Sequence, residues 1–170
     1  GNACPTRANA TSTCEAGACG FTCDDGFADC NGSPDDGCET NLNTAVTSCG
    51  MCGRVCSLAN ATSVCTAGAC AVGACNAGFS DCDRVATNGC ETNTNTTVTS
   101  CGACGRACTF ANGVPACVGG ACRLASCNAG FADCDGVATN GCETVLTAVG
   151  NCGACGRVCT APRLGTPTCV

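Results

Sequence analysis

The sequence of 170 residues has no lysine, histidine, isoleucine, tryptophan or tyrosine, and its only aromatic residues are five phenylalanines. The lack of histidine excludes Ser-His-Asp and Cys-His arrangements for nucleophilic catalysis, and no other catalytic constellation occurs. We therefore predict that the protein is not an enzyme. Seven arginines against thirteen acidic residues give a net charge of −6, which argues against a nucleic-acid partner. No run of 18 apolar residues occurs, so we expect no membrane insertion.

Large apolar side chains are also scarce. Thirteen Val, five Leu, five Phe and one Met are too few to fill an ordinary core. Small modules without a sufficient core are normally held together by disulfides or metals. The 26 cysteines supply the means, and such a density is typical of a disulfide scaffold. Since cytosolic reductants keep such thiols reduced, we expect an oxidising compartment. The protein is expected to be extracellular (secreted) or on the cell surface, and a periplasm is a further alternative. Gly1 is interpreted as a processed start, with an export signal already removed.

The cysteines recur at fixed spacing. In each of two complete copies, successive cysteines are separated by two, three, eight, four, four, six and seven residues. A period of about 50 residues is typical of a stacked array. The eight cysteines of each copy, predicted to form disulfides, are Cys49, Cys52, Cys56, Cys65, Cys70, Cys75, Cys82 and Cys90, and then Cys101, Cys104, Cys108, Cys117, Cys122, Cys127, Cys134 and Cys142.

Four segments follow from this spacing. The first copy (residues 1–48) holds the last six cysteine positions, the second (49–100) and third (101–151) are complete, and the fourth (152–170) holds the first four positions. Two interpretations of the partial copies stay open. One is that the first copy of one chain docks head-to-tail on the fourth copy of another, which gives a ring or a filament. The other is that each folds on itself, since six and four are both even.

The predicted fold class is small and disulfide-rich, mostly irregular with short β-hairpins, arranged as a tandem-repeat, solenoid-like rod. β-prone runs around a glycine-containing loop predict hairpins at Thr62–Val72, Pro115–Leu124 and Ser12–Phe21. The threonine-rich stretch Thr92–Ser100 is interpreted as a linker or an exposed strand. Ala45–Cys56 and its equivalents have room for one helical turn, and Gly50 and Gly53 argue against more.

A Cys-Gly-x-Cys-Gly-Arg-x-Cys motif occurs at Cys49–Cys56, Cys101–Cys108 and Cys152–Cys159. Haem attachment requires a histidine after the second cysteine, and the chain has none. A thiol oxidoreductase keeps one exposed reactive pair rather than three embedded copies. Zinc ligation would commit most of the cysteines to metals. Structural disulfides are favoured, although eight cysteines permit on the order of a hundred pairings. No glycine-rich phosphate loop occurs, so we expect neither haem nor nucleotide.

Ten of the thirteen acidic residues fall in one loop per copy. Residues i and i+2 of an extended segment share a face, so Asp81 and Asp83 are expected to point together, away from Cys82. Converging carboxylates with asparagine are ligands that Ca²⁺ takes. The alternative is a solvated turn whose Asp and Asn side chains cap local amides. The candidate metal ligands are Asp81, Asp83, Asn88 and Glu91, then Asp133, Asp135, Asn140 and Glu143, and in the first copy Asp29, Asn31, Asp36 and Glu39.

Sequons of the form Asn-x-Ser/Thr predict candidate N-glycosylation sites at Asn9, Asn60 and Asn95. Such short patterns also arise by chance in a chain rich in Asn and Thr. O-linkage on the threonine run is an equal alternative.

The motifs together resemble a tandem cysteine-rich repeat of large secreted or surface proteins of myxobacteria and related bacteria. The matching segments are Cys49–Cys56 with Gly78–Thr92, and Cys101–Cys108 with Gly130–Thr144. At the level of spacing the resemblance covers nearly the whole chain. It implies a surface location and little about activity. Epidermal-growth-factor-like and Notch-type modules are similar in style, but their cysteine spacing differs and no residue is carried over.

These patterns favour an extracellular structural protein, a disulfide-stapled rod that self-associates head-to-tail into a filament or surface fibre, with Ca²⁺ stiffening each loop. One alternative is a Ca²⁺-dependent adhesion or binding module of a longer surface stalk. A second is a metal-storing or redox protein. In the first copy Asn31 replaces the second Asp and Asp36 replaces the Asn, which weakens a Ca²⁺ site there.

Overall fold

Short antiparallel strands are the main regular structure in this computed structural model, which describes residues 3–159 and residue 169. The chain divides into two units, Gly1–Glu91 and Thr92–Val170. In chain order the strands are β1 (Ala10–Glu15), β2 (Ala18–Cys23), β3 (Phe27–Ala28), β4 (Thr40–Asn41), β5 (Ala61–Thr66), β6 (Ala69–Cys75), β7 (Phe79–Ser80), β8 (Thr92–Asn93), β9 (Gly113–Val118), β10 (Ala121–Cys127), β11 (Phe131–Ala132) and β12 (Thr144–Val145).

The three longest strand pairs are the predicted hairpins: β1 with β2, β5 with β6 and β9 with β10. Each turn places two successive residues at positive φ, for example Ala67 at 49° and Gly68 at 76°. Such a turn matches the right-handed twist of its strands and favours glycine. The hairpin prediction is therefore confirmed for all three segments.

The threonine-rich stretch differs from its expected form as a linker or an exposed strand. It contains β8, a 3₁₀-helix at Val98–Ser100 and a buried Thr94. The carbonyl of Thr94 accepts the amide of Gly102, and the Sγ of Cys117 lies 3.4 Å from it. Thr94 is buried because the adjoining loop and the hairpin close on its backbone. The 3₁₀-helix lies in the equivalent of Ala45–Cys56 that leads into the third copy, whereas Ala45–Cys56 itself contains turns and no helix. No helix among the described residues is long and apolar enough to cross a membrane.

The buried apolar residues are all cysteines. Within the described part of the chain, every buried hydrophobic residue is one of nine half-cystines, and the valines are largely exposed, up to 66% for Val158. Two clusters form around Cys49, Cys56 and Cys65 in one unit and around their equivalents in the other. Sulfur, rather than aliphatic packing, fills the interior.

The disulfides follow one pattern, and there are twelve of them. Within a copy the first cysteine pairs with the fourth, the third with the fifth and the sixth with the eighth. In the first and third copies, the seventh cysteine pairs with the second cysteine of the following copy. The bridges within the units are Cys49–Cys65, Cys101–Cys117 and Cys152–Cys169; Cys4–Cys19, Cys56–Cys70 and Cys108–Cys122; Cys23–Cys38, Cys75–Cys90 and Cys127–Cys142; and Cys30–Cys52 and Cys134–Cys155. Cys82 and Cys104 are also disulfide-bonded.

The idea that each partial copy is self-contained is wrong. Cys30 pairs forward with Cys52, and Cys155 pairs back with Cys134. Two thiols are left, at Cys14 and Cys159. An even count is no guide here, because Cys30–Cys52 and Cys134–Cys155 each join a partial copy to a neighbouring copy.

Candidate functional site

The acidic loops are the connections that follow the short strands β3, β7 and β11. The first loop, residues 29–39, links β3 to β4, which pair through Phe27 with Asn41 and Ala28 with Thr40. The third, residues 133–143, links β11 to β12 in the same way. Two half-cystines lie inside each loop, so the ends of the acidic segment are fixed covalently. The carboxylates therefore belong to a pinned turn rather than to an extended strand.

The first acid of each loop caps the turn that follows it. Its Oδ1 accepts the backbone amide three residues ahead, which is a local bond that Asp and Asn make readily. The distances are 2.6 Å from Gly32 to Asp29, 2.6 Å from Arg84 to Asp81 and 2.8 Å from Gly136 to Asp133.

The second acid and the asparagine five residues on form a clasp across the loop. In the second copy, Asp83 accepts the amide of Val85 on Oδ1 at 2.9 Å and the Nδ2 of Asn88 on Oδ2 at 2.8 Å. The third copy has the same two bonds, from Val137 and Asn140 to Asp135. Both oxygens of this aspartate therefore already have protein donors.

The first copy has the same clasp, with the positions of the Asp and the Asn exchanged. Asn31 accepts the amide of Ser33 at 2.7 Å, and its Nδ2 donates to Oδ2 of Asp36 at 2.9 Å. Asn31 stands where the other copies have Asp, and Asp36 stands where they have Asn. The bond thus survives with donor and acceptor reversed, which shows that the clasp depends on the pair and not on a fixed place for the carboxylate.

The glutamate that closes each loop reaches back to the loop's start. Glu39, Glu91 and Glu143 accept the amides of Cys30, Cys82 and Cys134 at 3.0, 2.9 and 3.0 Å. The hydroxyls of Thr40 and Thr144 also donate to their neighbouring glutamates. Each loop is therefore closed on itself by hydrogen bonds to ionised side chains, which are among the stronger kinds.

These bonds favour the charged carboxylates. The amide of Val85 and then the side chain of Asn88 lower the pKa of Asp83. The amide of Val137 and then Asn140 lower the pKa of Asp135 in the same way. The pKa of Glu143 is lowered by its own amide and by that of Cys134. Donors to the ionised form stabilise it, so these groups carry negative charge at neutral pH.

The carboxylates converge as expected. Oxygens of Asp81, Asp83 and Glu91 lie within 4.8 Å of one another, and so do those of Asp133, Asp135 and Glu143. Oxygens at such separations suit a hard cation. In the first copy the second acid has moved to position 36, so the same three positions hold two acids and one amide. Ca²⁺ ligation by these twelve residues stays a prediction.

Two sequon asparagines have a structural role that the sequence did not reveal. Asn9 and Asn60 both have φ of 50°, and their Nδ2 atoms donate to the carbonyls of Cys38 at 2.9 Å and Cys90 at 3.2 Å. Asn112, which is not in a sequon, does the same to Cys142 at 3.1 Å. In the sequence, each of these asparagines follows an alanine and directly precedes a hairpin, which is the one pattern that could have indicated the shared role. Asn95, the third candidate, is exposed after β8.

A close backbone contact fixes the last turn of each acidic loop. The amide of Cys90 donates to the carbonyl of Ala59, and Gly89 has φ of 98°. A methyl group on Gly89 would collide with the backbone of Ala59. Gly37 and Gly141 lie in the same way against Ala8 and Ala111. Glycine is required here by both the backbone angle and the space.

Sulfur atoms also cluster. The Sγ atoms of Cys49, Cys56 and Cys70 lie within 4.8 Å of one another, as do their equivalents in the third copy. These atoms are disulfide sulfurs, and metal ligation requires thiolates. The clusters therefore mark adjacent bridges.

The chain matches no family model, no curated protein and no solved structure among those compared.

Proposed function

We propose that this chain is an extracellular structural protein, a rod of disulfide-stapled repeats whose work is mechanical. The observation that carries the proposal is the interior made of half-cystines, with twelve disulfides in 170 residues. Each bridge that closes a loop of this size contributes about 2–4 kcal/mol. Such bridges persist in an oxidising environment. The resemblance to bacterial surface repeats points to the same location.

The rod itself is supported by the sharing of bridges between copies. Cys30–Cys52 joins the first copy to the second, and Cys134–Cys155 joins the third to the fourth. A repeat whose bridges reach the next repeat resists being pulled apart. Force spectroscopy tests this: the oxidised chain is expected to show extension events far shorter than its full contour length, and the reduced chain to extend fully. Equal extension of both would contradict a mechanical role.

We also propose that chains associate head-to-tail into a filament or surface fibre. The support is that neighbouring copies within the chain are already joined by bridges, Cys30–Cys52 and Cys134–Cys155, so the repeat has a means of attaching to the next repeat. Light scattering of the oxidised protein over a range of concentrations is expected to show growing assemblies. A monomer at every concentration would contradict this assembly.

A second candidate function is Ca²⁺ binding at the second and third acidic loops. The observation that favours it is the convergence of three carboxylates in each loop. Calorimetric titration with Ca²⁺ is expected to give two sites per chain. The double variant Asp83→Asn/Asn88→Asp, which copies the first loop, is expected to give one. No heat of binding would leave the loops as hydrogen-bonded turns. Adhesion by a longer stalk would require these sites.

Metal storage or redox chemistry is the remaining alternative. It needs several free thiols, and the described residues hold two, at Cys14 and Cys159. A thiol assay on the native protein is expected to give about two thiols per chain. Many more would favour storage over the structural role.

A further inference from the structure

The disulfides differ in how well their half-cystines are buried. Seven bridges that close a single copy each contain at least one buried half-cystine. They are Cys23–Cys38, Cys49–Cys65, Cys56–Cys70, Cys75–Cys90, Cys101–Cys117, Cys108–Cys122 and Cys127–Cys142. Exchange of a disulfide requires a thiolate to reach one of its sulfurs, so burial shields these seven bridges from small thiols.

The bridges that join one copy to the next are open to solvent. In Cys30–Cys52 the first half-cystine is half-buried and the second is exposed, and both half-cystines of Cys134–Cys155 are exposed. The complete copies show the same pattern at the same positions, because Cys82 is half-buried and Cys104 is exposed. The exposure therefore belongs to the repeat itself.

The charge around Cys30–Cys52 is mainly negative. Cys30 lies in the first acidic loop, whose residues 29–39 contain four acidic residues and no arginine. Its amide donates to Oε1 of Glu39 at 3.0 Å, so one carboxylate lies directly beside this half-cystine. On the other side of the bridge, Arg54 is the single cationic residue of the motif. Such a set of charges attracts a cationic group and repels an anionic one, and salt weakens both effects.

We propose that Cys30–Cys52 is an exchange site for small aminothiols, which open the link between two copies while the buried bridges inside each copy stay closed. An aminothiol has an ammonium group beside its thiolate, so the acidic loop repels it less than it repels other thiolates. The exchange requires neither filament assembly nor a mechanical role, and it gives the chain a site at which a small molecule controls the connection between repeats.

The aminothiol thiolate attacks the Sγ of Cys52, because Cys52 is the exposed half of the bridge. A bond forms between the aminothiol sulfur and Cys52 as the Cys30–Cys52 bond breaks, and Cys30 leaves as a thiolate that takes a proton from water. One disulfide becomes one mixed disulfide, so the step consumes no oxidant and no reductant other than the thiol itself.

Opening this bridge leaves the peptide chain as the one covalent connection between the first two copies. Cys23–Cys38 ends before residues 39–48, and Cys49–Cys65 begins after them. Cys30–Cys52 is the bridge that spans these residues. Glu39 is the one glutamate within them. A cut after Glu39 therefore separates the two pieces when the bridge is open and leaves them joined when it is closed.

The test uses the native 170-residue chain with its free thiols blocked by iodoacetamide. The chain is treated with cysteamine in mildly alkaline, oxygen-free buffer, stopped with N-ethylmaleimide, and then denatured and digested with a glutamate-specific protease. At low conversion we expect cysteamine on Cys52, N-ethylmaleimide on Cys30, and release of the fragment that ends at Glu39 on non-reducing gels. The variant Cys30→Ser/Cys52→Ser, digested without cysteamine, shows where that fragment runs.

The order in which the bridges open decides the outcome. The seven bridges with a buried half-cystine are expected to stay unlabelled at low conversion. Half-cystines that are not buried are expected to react in the same phase as Cys30–Cys52, and they belong to Cys134–Cys155, Cys4–Cys19 and Cys152–Cys169, together with the bonded Cys82 and Cys104. Earlier opening of a buried bridge, or cysteamine on Cys30 rather than on Cys52, overturns the proposal.

The preference for aminothiols is tested with cysteamine, 2-mercaptoethanol and 3-mercaptopropionate, whose thiolate forms are neutral overall, singly negative and doubly negative. Per thiolate, the opening rate of Cys30–Cys52 is expected to fall about tenfold from the first to the last at low salt, and the spread to shrink at high salt. Asp36→Asn, inside the loop, is expected to narrow the spread, and Glu15→Gln, in β1, to leave it unchanged. Equal rates at low salt, or a spread that both variants leave unchanged, would overturn the aminothiol preference.

Discussion

The first and second copies build the same hairpin and the same acidic loop with different chemistry. In both hairpins two cysteines face each other across the strands. In β5–β6 the facing pair is bridged to the preceding motif, whereas in β1–β2 Cys19 is bridged and Cys14 is a thiol. Both loops have an Asn-Asp clasp, with donor and acceptor reversed. The difference teaches that loop geometry is set by paired hydrogen bonds, whereas hairpin attachment is set by individual sulfurs.

The largest effect is expected from sulfur. Cys65→Ser removes the Cys49–Cys65 bridge and leaves Cys49, which is fully buried, as a lone thiol. We expect the free energy of unfolding to fall by about 2–5 kcal/mol. Cys14→Ser is the matched variant in the first hairpin, and about 0.5 kcal/mol or less is expected because its side chain is exposed and unbridged. Denaturant titration measures both. Equal losses would show that β1–β2 and β5–β6 do not differ as described.

The next effect concerns the loop's last turn. Gly89→Ala places a methyl group against the backbone of Ala59 and also keeps φ at 98°. Gly32→Ala, in the first loop, keeps φ at 74° and meets nothing within 4 Å. The backbone angle alone costs about 1–2 kcal/mol. Thermal melts are expected to show a larger loss for Gly89→Ala than for Gly32→Ala, and equal losses would refute the close approach.

The clasp is tested by a double-mutant cycle. Asp83→Asn leaves one carbonyl oxygen for two donors, Val85 and Asn88, and we expect a loss of about 0.5–1.5 kcal/mol. Adding Asn88→Asp recreates the first copy's arrangement and is expected to restore the stability. If the double variant is less stable than the single one, the reversed clasp of Asn31 and Asp36 is not equivalent.

The smallest effect is a change with pH. Donors lower the pKa of Asp83 from its usual 3.8 in the folded state. Its contribution is fully present above that value and is lost as the pH falls through the lower, folded-state pKa, because the unfolded chain binds the proton first. The melting temperature is expected to drop below about pH 4, and to drop less in Asp83→Asn. An unchanged pH profile in that variant would exclude the contribution of Asp83.

Much of the local structure was predictable because it depends on short stretches of chain. β-prone runs around Gly68 predict a hairpin, and Asp81 with Asp83 predicts converging carboxylates. The disulfide pairing was not predictable, because cysteine spacing does not say that Cys30 reaches Cys52. The role of Asn60 was also hidden, since its partner Cys90 is 30 residues away. Composition predicts a linker or an exposed strand over Thr92–Ser100, and it says nothing about what docks on the backbone carbonyl of the buried Thr94.

The overlap of the disulfides has a consequence for proteolysis. The bridges Cys23–Cys38, Cys30–Cys52, Cys49–Cys65 and Cys56–Cys70 overlap one after another. A single cut of the peptide chain anywhere between Cys23 and Cys70 therefore leaves the two pieces joined. The series from Cys127 to Cys169 has the same property. A protease outside the cell would have to cut each series at least twice before any fragment could leave.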